Sequence, residues 1–370
     1  MAQFSHPLSA NAQAAYSDLV DVVRREDLQR SIDTLSGSFS RKDVRGRIYW
    51  YYQATDVTSG GTRQIFVGPD TPEVKALVER SRGKDTKPVA QLANAAVALG
   101  CTSTPPVHFR IIRRLNETGL FAAGAVLVGS HAFISYGNML GVRWKDHAYT
   151  KDIDFAHAGK AVSMALPQNL KLKTRENVEA LESGFLPIPG FFPGDQTSSF
   201  ASKSDATMRI DFLAPMTGGK EKPYLHEGLG VNLQPLRFLD IILVDVYQAA
   251  IVSSSGATLV SVPDPARYAL HKLLVYSERR KRDLTKARKD LAQAGALLEI
   301  LWDFRPEDLK TIWYQILEGG PGWRKRALDG AGALEKLYPD LAAVESLSEL
   351  AAARTSTHVT PTASRWRRPS

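Results

Sequence analysis

The segment Tyr149-Thr150-Lys151-Asp152-Ile153-Asp154-Phe155 constrains the fold of this chain more than any other stretch. Side chains along a strand alternate between two faces, so Asp152 and Asp154 share one face while Ile153 and Phe155 share the other. The apolar face needs a core to cover it. Downstream, Met208-Arg209-Ile210-Asp211-Phe212-Leu213 repeats the pattern, with Met208, Ile210 and Phe212 on one side and Arg209 and Asp211 on the other. Asp-x-Asp pairs also occur on solvated strand edges. Here the flanking core-type residues set the aspartates at a half-buried strand, where a charge needs a partner or a metal. Two carboxylates on one face make a hard oxygen site suited to magnesium. A third on a neighbouring strand, Asp211, completes a two-metal arrangement.

Upstream lies the apolar run Leu120–Gly129. Its part Ala122–Val128 is expected as a buried strand, followed by Gly129-Ser130 and a helix over His131–Leu140. A glycine at that junction lets an anion approach the backbone, and the first N–H groups of the helix face it. Ser130 is a donor to a phosphate oxygen or, equally, a helix cap. The chain shows neither a complete Walker A loop nor a dinucleotide fingerprint.

The chain has 370 residues, 44% of them hydrophobic, enough for two or three domains. Its formal net charge of +8 favours an anionic partner such as nucleotide, RNA or DNA. Cys101 is the sole cysteine, which excludes an internal disulfide and a cysteine-based zinc site and fits a cytoplasmic setting. The first residues lack an apolar signal core, and Phe238–Val252 is interrupted by Asp240, Asp245 and Gln248, so neither a signal peptide nor a membrane span is expected.

Four regions are expected: residues 1–104, an N-terminal helix and β-hairpin module; 105–236, the core carrying the aspartates; 237–353, a C-terminal hairpin and helical domain; and 354–370, a disordered basic tail. In the first, Asn11–Leu35 has helical spacing and Gly37 is expected to stop it. Arg47–Gln53 and Arg63–Gly68 form the hairpin around Ser59-Gly60-Gly61. That hairpin mixes Tyr49, Trp50, Tyr51 and Tyr52 with Lys42, Arg45, Arg47 and Arg63. The mixture suits single-stranded nucleic acid, or equally a small core of cross-strand aromatic pairs. Pro189–Ser204 reads as a long loop, and Gln248–Val252 with Ala257–Val262 as a second hairpin.

Taken together, a strand, Gly129-Ser130 and helix, then Asp152-x-Asp154, then a strand bearing Asp211 resemble the polymerase-β-like nucleotidyltransferase superfamily. The likeness is greatest to bacterial nucleotidyltransferase-fold proteins related to abortive-infection and toxin-type transferases. It includes Gly129-Ser130-His131-Ala132, Thr150-x-Asp152-Ile153-Asp154, and Val262-Pro263 followed by Tyr268-Ala269-Leu270-His271-Lys272-Leu273, and covers about residues 105–305. One departure is the segment His131–Lys151, longer than the compact pattern has between Gly-Ser and the Asp pair.

The resemblance implies an α+β nucleotidyltransferase fold with a mixed central sheet and a helical C-terminal domain. It implies transfer of a nucleotidyl group from an NTP, with Asp152, Asp154 and Asp211 catalytic and binding two Mg2+ ions. Gly129 and Ser130 would cradle phosphate, Lys272 would steady the triphosphate, and His271 would be structural. Lys286, Arg288, Lys289 and Asp290 match a Lys-Asp stretch in such relatives, although most of Arg279–Lys289 reads as a solvated face. The acceptor is an RNA 3′ end, a protein, including an antitoxin-type partner, or a small molecule. Two rival readings stand beside it: a metal-dependent glycosyltransferase holding a nucleotide sugar at Asp152 and Asp154, and a non-catalytic protein with a degenerate nucleotidyltransferase fold that binds nucleic acid through the basic hairpin and C-terminal helices.

Overall fold

The computed structural model describes residues 4–33, 37–44, 46–55, 62–81, 87–145, 151–158, 171–181, 184–189, 197–219, 221–280 and 283–357. Strand β1 (Ser5–Pro7) leads into helix α1 (Ala10–Asp33). A meander of β2 (Gly37–Val44), β3 (Arg47–Thr55) and β4 (Thr62–Pro69) follows, then helices α2 (Pro72–Ser81), α3 (Lys87–Ala98) and α4 (Pro106–Glu117). The expected hairpin is therefore a three-stranded antiparallel sheet, and Gly37 opens a strand instead of merely ending a helix. β2 is polar in sequence; continuous pairing with β3, from Gly37↔Ala54 to Val44↔Arg47, supplies its order. Gly46, at φ +79, makes the tight turn between them, its N–H donating to Asp43 Oδ1 at 2.8 Å. The expected turn at Ser59-Gly60-Gly61 lies outside the described residues.

The middle of the chain runs through β5 (Val126–Val128), α5 (Gly129–Met139), β6 (Val142–Trp144), β7 (Asp152–Ala156), α6 (Thr174–Glu179), β8 (Phe185–Pro187), β9 (Ser199–Ser202), β10 (Arg209–Pro215), β11 (Tyr224–His226) and β12 (Val231–Leu236). β5 is shorter than the expected Ala122–Val128, because Gly119 and Gly124 both take left-handed turns ahead of it. The expected loop Pro189–Ser204 contains β9.

The central sheet has the order β11-β12-β10-β7-β5 and is mixed. β10 is parallel to β7 and β12, whereas β5 is antiparallel to β7 and β11 to β12. β9 pairs antiparallel with Arg209–Asp211, and β8 pairs with β9. Ile153, Phe155, Ile210 and Phe212 are buried beneath the sheet, with Phe155 and Phe212 stacked at 5.6 Å. Burial of each such side chain stabilises the fold by roughly 1.5–3 kcal/mol.

The extra residues between Gly129-Ser130 and the Asp pair are partly accounted for by α5 and β6. Trp144 stacks on Phe133 at 4.7 Å and donates from Nε1 to the Phe133 carbonyl at 2.9 Å. β6 in turn pairs with β1. A 3₁₀ turn (Leu239–Leu243) precedes the hairpin β13 (Val246–Ser253) and β14 (Gly256–Pro263). Helices α7 (Pro265–Arg280), α8 (Leu284–Phe304), α9 (Pro306–Glu318), α10 (Pro321–Leu337) and α11 (Ala342–Thr357) complete the described chain. The basic run Glu278–Lys289 is broken between α7 and α8, where Asp283 caps α8 by accepting from the Lys286 N–H at 3.0 Å. Gly330 brings α10 onto α7: a Cβ there would strike the Leu273 carbonyl. The expected tail beyond Thr357 lies outside the described residues. Among those residues, no helix is long and apolar enough to cross a membrane.

Two compact units emerge. One comprises Leu8–Arg113 and Ala249–Val260; the other comprises Met1–Pro7, Arg114–Gln248 and Ser261–Ser370. In the first, the Thr104 N–H donates to the Val252 carbonyl at 2.7 Å, and Tyr16 Oη bonds both the N–H and the carbonyl of Ala250. The aspartates belong to the second.

Candidate active site

Parallel pairing places Asp211 directly beside Asp154, and Arg209 beside Asp152. Neighbours in register project to the same face, so the three aspartates and Arg209 share the face opposite the Phe155–Phe212 core. On the other edge of β7, Val128 is the register partner of Asp154, which brings the end of β5 to the same point. Gly129 follows at φ +64, and a Cβ on it would collide with Asp154 Oδ2. Only glycine satisfies both the left-handed backbone and that close approach.

Helix α5 begins at Gly129, with Val128 in the capping position and no side-chain cap. Ser130 is therefore the second residue of the helix, buried, and does not cap it. The first N–H groups of a helix have no partner within it and carry a partial positive charge. Here they begin beside the carboxylate cluster. Tyr268 on α7 fixes the junction: its hydroxyl donates to the Gly129 carbonyl at 2.7 Å and lies 3.1 Å from Gln293 Oε1.

The clustering is costly to charge. Burial, then Asp211 and Asp152, push the Asp154 carboxyl up to about 7. Burial also raises Asp211, opposed by a hydrogen bond with Ser199. Hard carboxylate oxygens are donors that suit a divalent, oxygen-seeking cation. Among the described residues, however, no three His, Cys, Asp or Glu side chains converge closely enough to hold a metal ion. Mutual repulsion of like charges favours such separation.

A cavity of about 660 Å³ opens from Gly129 and Asp154. Its lining mixes apolar side chains, among them Leu213, Met216, Leu239 and Ile242, with the cations Lys272, Arg279 and Lys286 and the acids Glu221, Glu278 and Asp283. Lys272 is buried and not a surface lysine. Its ammonium lies 2.5 Å from Asp290 Oδ1 and 4.9 Å from the centre of the Tyr268 ring. Arg279 Nε sits 3.1 Å from the other Asp290 oxygen. Burial pulls the Lys272 ammonium down, and Asp290 opposes that pull. His271 also lines the cavity; burial, Lys272 and Arg279 hold it down to about 3, so it is neutral. Lys151, by contrast, pairs with Asp205 at 2.8 Å on the surface.

A family model described as nucleotidyltransferase matches residues 107–318, more than half of the 370-residue chain. The chain belongs to this nucleotidyltransferase family. All three aspartates, Gly129, Ser130, Lys272 and the whole cavity wall of the nucleotidyltransferase lie inside the matched span. No curated protein and no solved structure matches the chain.

The sequence reading missed Arg279 and Tyr268 as parts of this nucleotidyltransferase site. Arg279 was hidden in a run of cations, although it falls seven residues, two helical turns, after Lys272 and hence on the same side of α7. Tyr268, four residues before Lys272, is its neighbour one turn back.

Proposed function

We propose that this nucleotidyltransferase moves a nucleoside monophosphate from an NTP to an acceptor hydroxyl, forming the acceptor O–Pα bond as the bond from Pα to the β-phosphate breaks and pyrophosphate leaves, and that Asp152, Asp154 and Asp211 would hold two magnesium ions. The observation that carries this reading is the in-register pairing of Asp154 with Asp211 against Gly129, beside a cavity whose lining includes Lys272, Arg279 and Lys286. Magnesium held by these carboxylates would supply charge neutralisation and would increase the acidity of an attacking hydroxyl. The α5 N–H groups and the side chains of Lys272, Arg279 and Lys286 receive the triphosphate. The apolar part of the lining takes the nucleoside and excludes water; the cavity volume is in the range of small-ligand sites. Asp211, raised by burial, accepts the hydroxyl proton. Catalysis then rests on positioning and charge neutralisation.

Family membership supports this reading over the glycosyltransferase alternative. The acceptor is an RNA 3′ end, a protein hydroxyl, including that of an antitoxin-type partner, or a small molecule. The test is incubation of the purified protein with each α-labelled NTP, magnesium, and bulk tRNA or cell lysate. Label should pass to an acceptor with the wild type, and Asp152→Asn or Asp154→Asn should reduce transfer at least about 100-fold. Wild-type rates in either variant, with the fold intact, would refute the assignment.

A further inference from the structure

The N-terminal sheet carries a second surface that the transfer reaction does not explain. Register sorts its side chains onto two faces. Arg41, Asp43, Ile48 and Trp50 share one face, by the pairs Arg41↔Trp50 and Asp43↔Ile48. That face is internally satisfied: Trp50 is buried and donates from Nε1 to Asp70 Oδ1 at 2.7 Å, and Asp70 lies 3.5 Å from Arg41 and 3.1 Å from Lys75.

The opposite face is differently built. The pairs Ser40↔Tyr51, Lys42↔Tyr49, Val44↔Arg47 and Tyr51↔Phe66 bring Tyr49, Tyr51 and Phe66 together with Lys42 and Arg47. Phe66 lies between the two tyrosines, 6.0 Å from Tyr49 and 5.6 Å from Tyr51, and is 57% exposed. The Lys42 ammonium stands 5.3 Å from the Tyr51 ring centre and donates to Gln64 Oε1 at 2.6 Å. The one acidic residue of these strands, Asp43, projects to the other face. A lone exposed phenylalanine is ordinary, but three contiguous rings beside two cations form a patch of defined chemistry.

We infer that this face, Tyr49, Tyr51 and Phe66 with Lys42 and Arg47, binds single-stranded nucleic acid. Phe66 and the half-buried Tyr49 and Tyr51 offer stacking platforms to unpaired bases, and the cations meet the backbone phosphates. A duplex hides its base faces in its own stack and cannot use the rings. The positive, acid-free character of the face favours a polyanion over a second copy of a chain bearing the same patch. The inference does not depend on the chemistry of the aspartate site.

The test is fluorescence anisotropy of the full chain with labelled U12, dT12 and a 12-base-pair duplex, in EDTA and without NTP. The single strands should bind more tightly than the duplex. Phe66→Ala and Tyr51→Ala should each weaken single-strand binding about 10-fold, the equivalent of about 1.4 kcal/mol of lost stacking. With two phosphate contacts, the logarithm of affinity should fall with the logarithm of salt at a slope of about −1.4, and Lys42→Gln should lower that slope by about 0.7. Lys42→Gln leaves the rings in place, so it tests the proposal even if an aromatic variant fails to fold. Tighter binding of U12 than dT12 would identify RNA as the ligand; equal binding would support either strand. Unchanged affinity in a folded Phe66→Ala or Lys42→Gln would overturn the proposal. So would a wild-type dimer dispersed by Phe66→Ala while oligonucleotide affinity stayed the same.

Discussion

Asp154→Asn should stabilise the metal-free protein at alkaline pH even as it removes transfer. In the folded protein, burial and the adjacent Asp211 and Asp152 raise the Asp154 carboxyl from 3.8 to about 7. Below about pH 4 the group is protonated whether the chain is folded or not, and it contributes no pH dependence. Between about 4 and 7 the unfolded chain releases the proton while the folded protein retains it, so stability falls as pH rises. Above about 7 the cost is complete: roughly three units at 1.36 kcal/mol each, about 4 kcal/mol. Asparagine preserves the shape and removes the charge. Thermal melting in EDTA should therefore show the variant above wild type by roughly 8 °C at pH 8, taking about 2 °C per kcal/mol, and by almost nothing at pH 4. Added magnesium should narrow the gap by stabilising only the wild type. A variant that melts at or below wild type at pH 8 in EDTA, or a gap independent of pH, would refute the electrostatic account of the site.

Three further outcomes are expected. Gly129→Ala and Gly218→Ala both impose a side chain on a left-handed residue, at φ +64 and +60, costing about 1–2 kcal/mol. Only the first collides with Asp154, so melting should drop at least as far in Gly129→Ala as in Gly218→Ala, and transfer should fall about 100-fold in Gly129→Ala alone. Asp290→Ala should destabilise the protein by about 3–5 kcal/mol in urea titrations by stranding the buried Lys272 ammonium; Lys272→Met in the same chain should recover much of that loss, and additive effects would show that the pair is not coupled. Gly330→Ala should cost about 1–3 kcal/mol through the clash of α10 with the Leu273 carbonyl, with kcat unchanged in the protein that remains folded.

The aspartate strands were legible because period two and core-type neighbours act within a few residues. Asp152, Ile153, Asp154 and Phe155 announce both faces of their strand. Gly129 was legible for a related reason, as a glycine at a strand–helix junction, but the carboxylate occupying its missing Cβ was not. The fate of Lys272 depended on Asp290, eighteen residues on and across the α7–α8 packing, which no local period encodes. Strands β1, β6, β8 and β11 are three residues each, too short for alternation to register, and only their partners define them. β2 was hidden by polar residues whose order comes from β3.

The strand that opens the chain has a bearing on how the protein is made. Phe4 donates its N–H to Glu299 at 3.2 Å, a separation of 295 residues, and sets its ring 4.7 Å from Tyr338. At about 5–20 residues per second, a ribosome needs roughly 15–60 seconds between making these partners. Strand β1 meets β6 far earlier, but Phe4 must wait for both of these partners. The β1–β6 pair, with Trp144 stacked on Phe133 of α5, is available once residue 144 is made, whereas the anchoring of Phe4 to Glu299 and Tyr338 comes only with α8 and the end of α10. Chains that stop before α8 would keep the first set of contacts and lack the second.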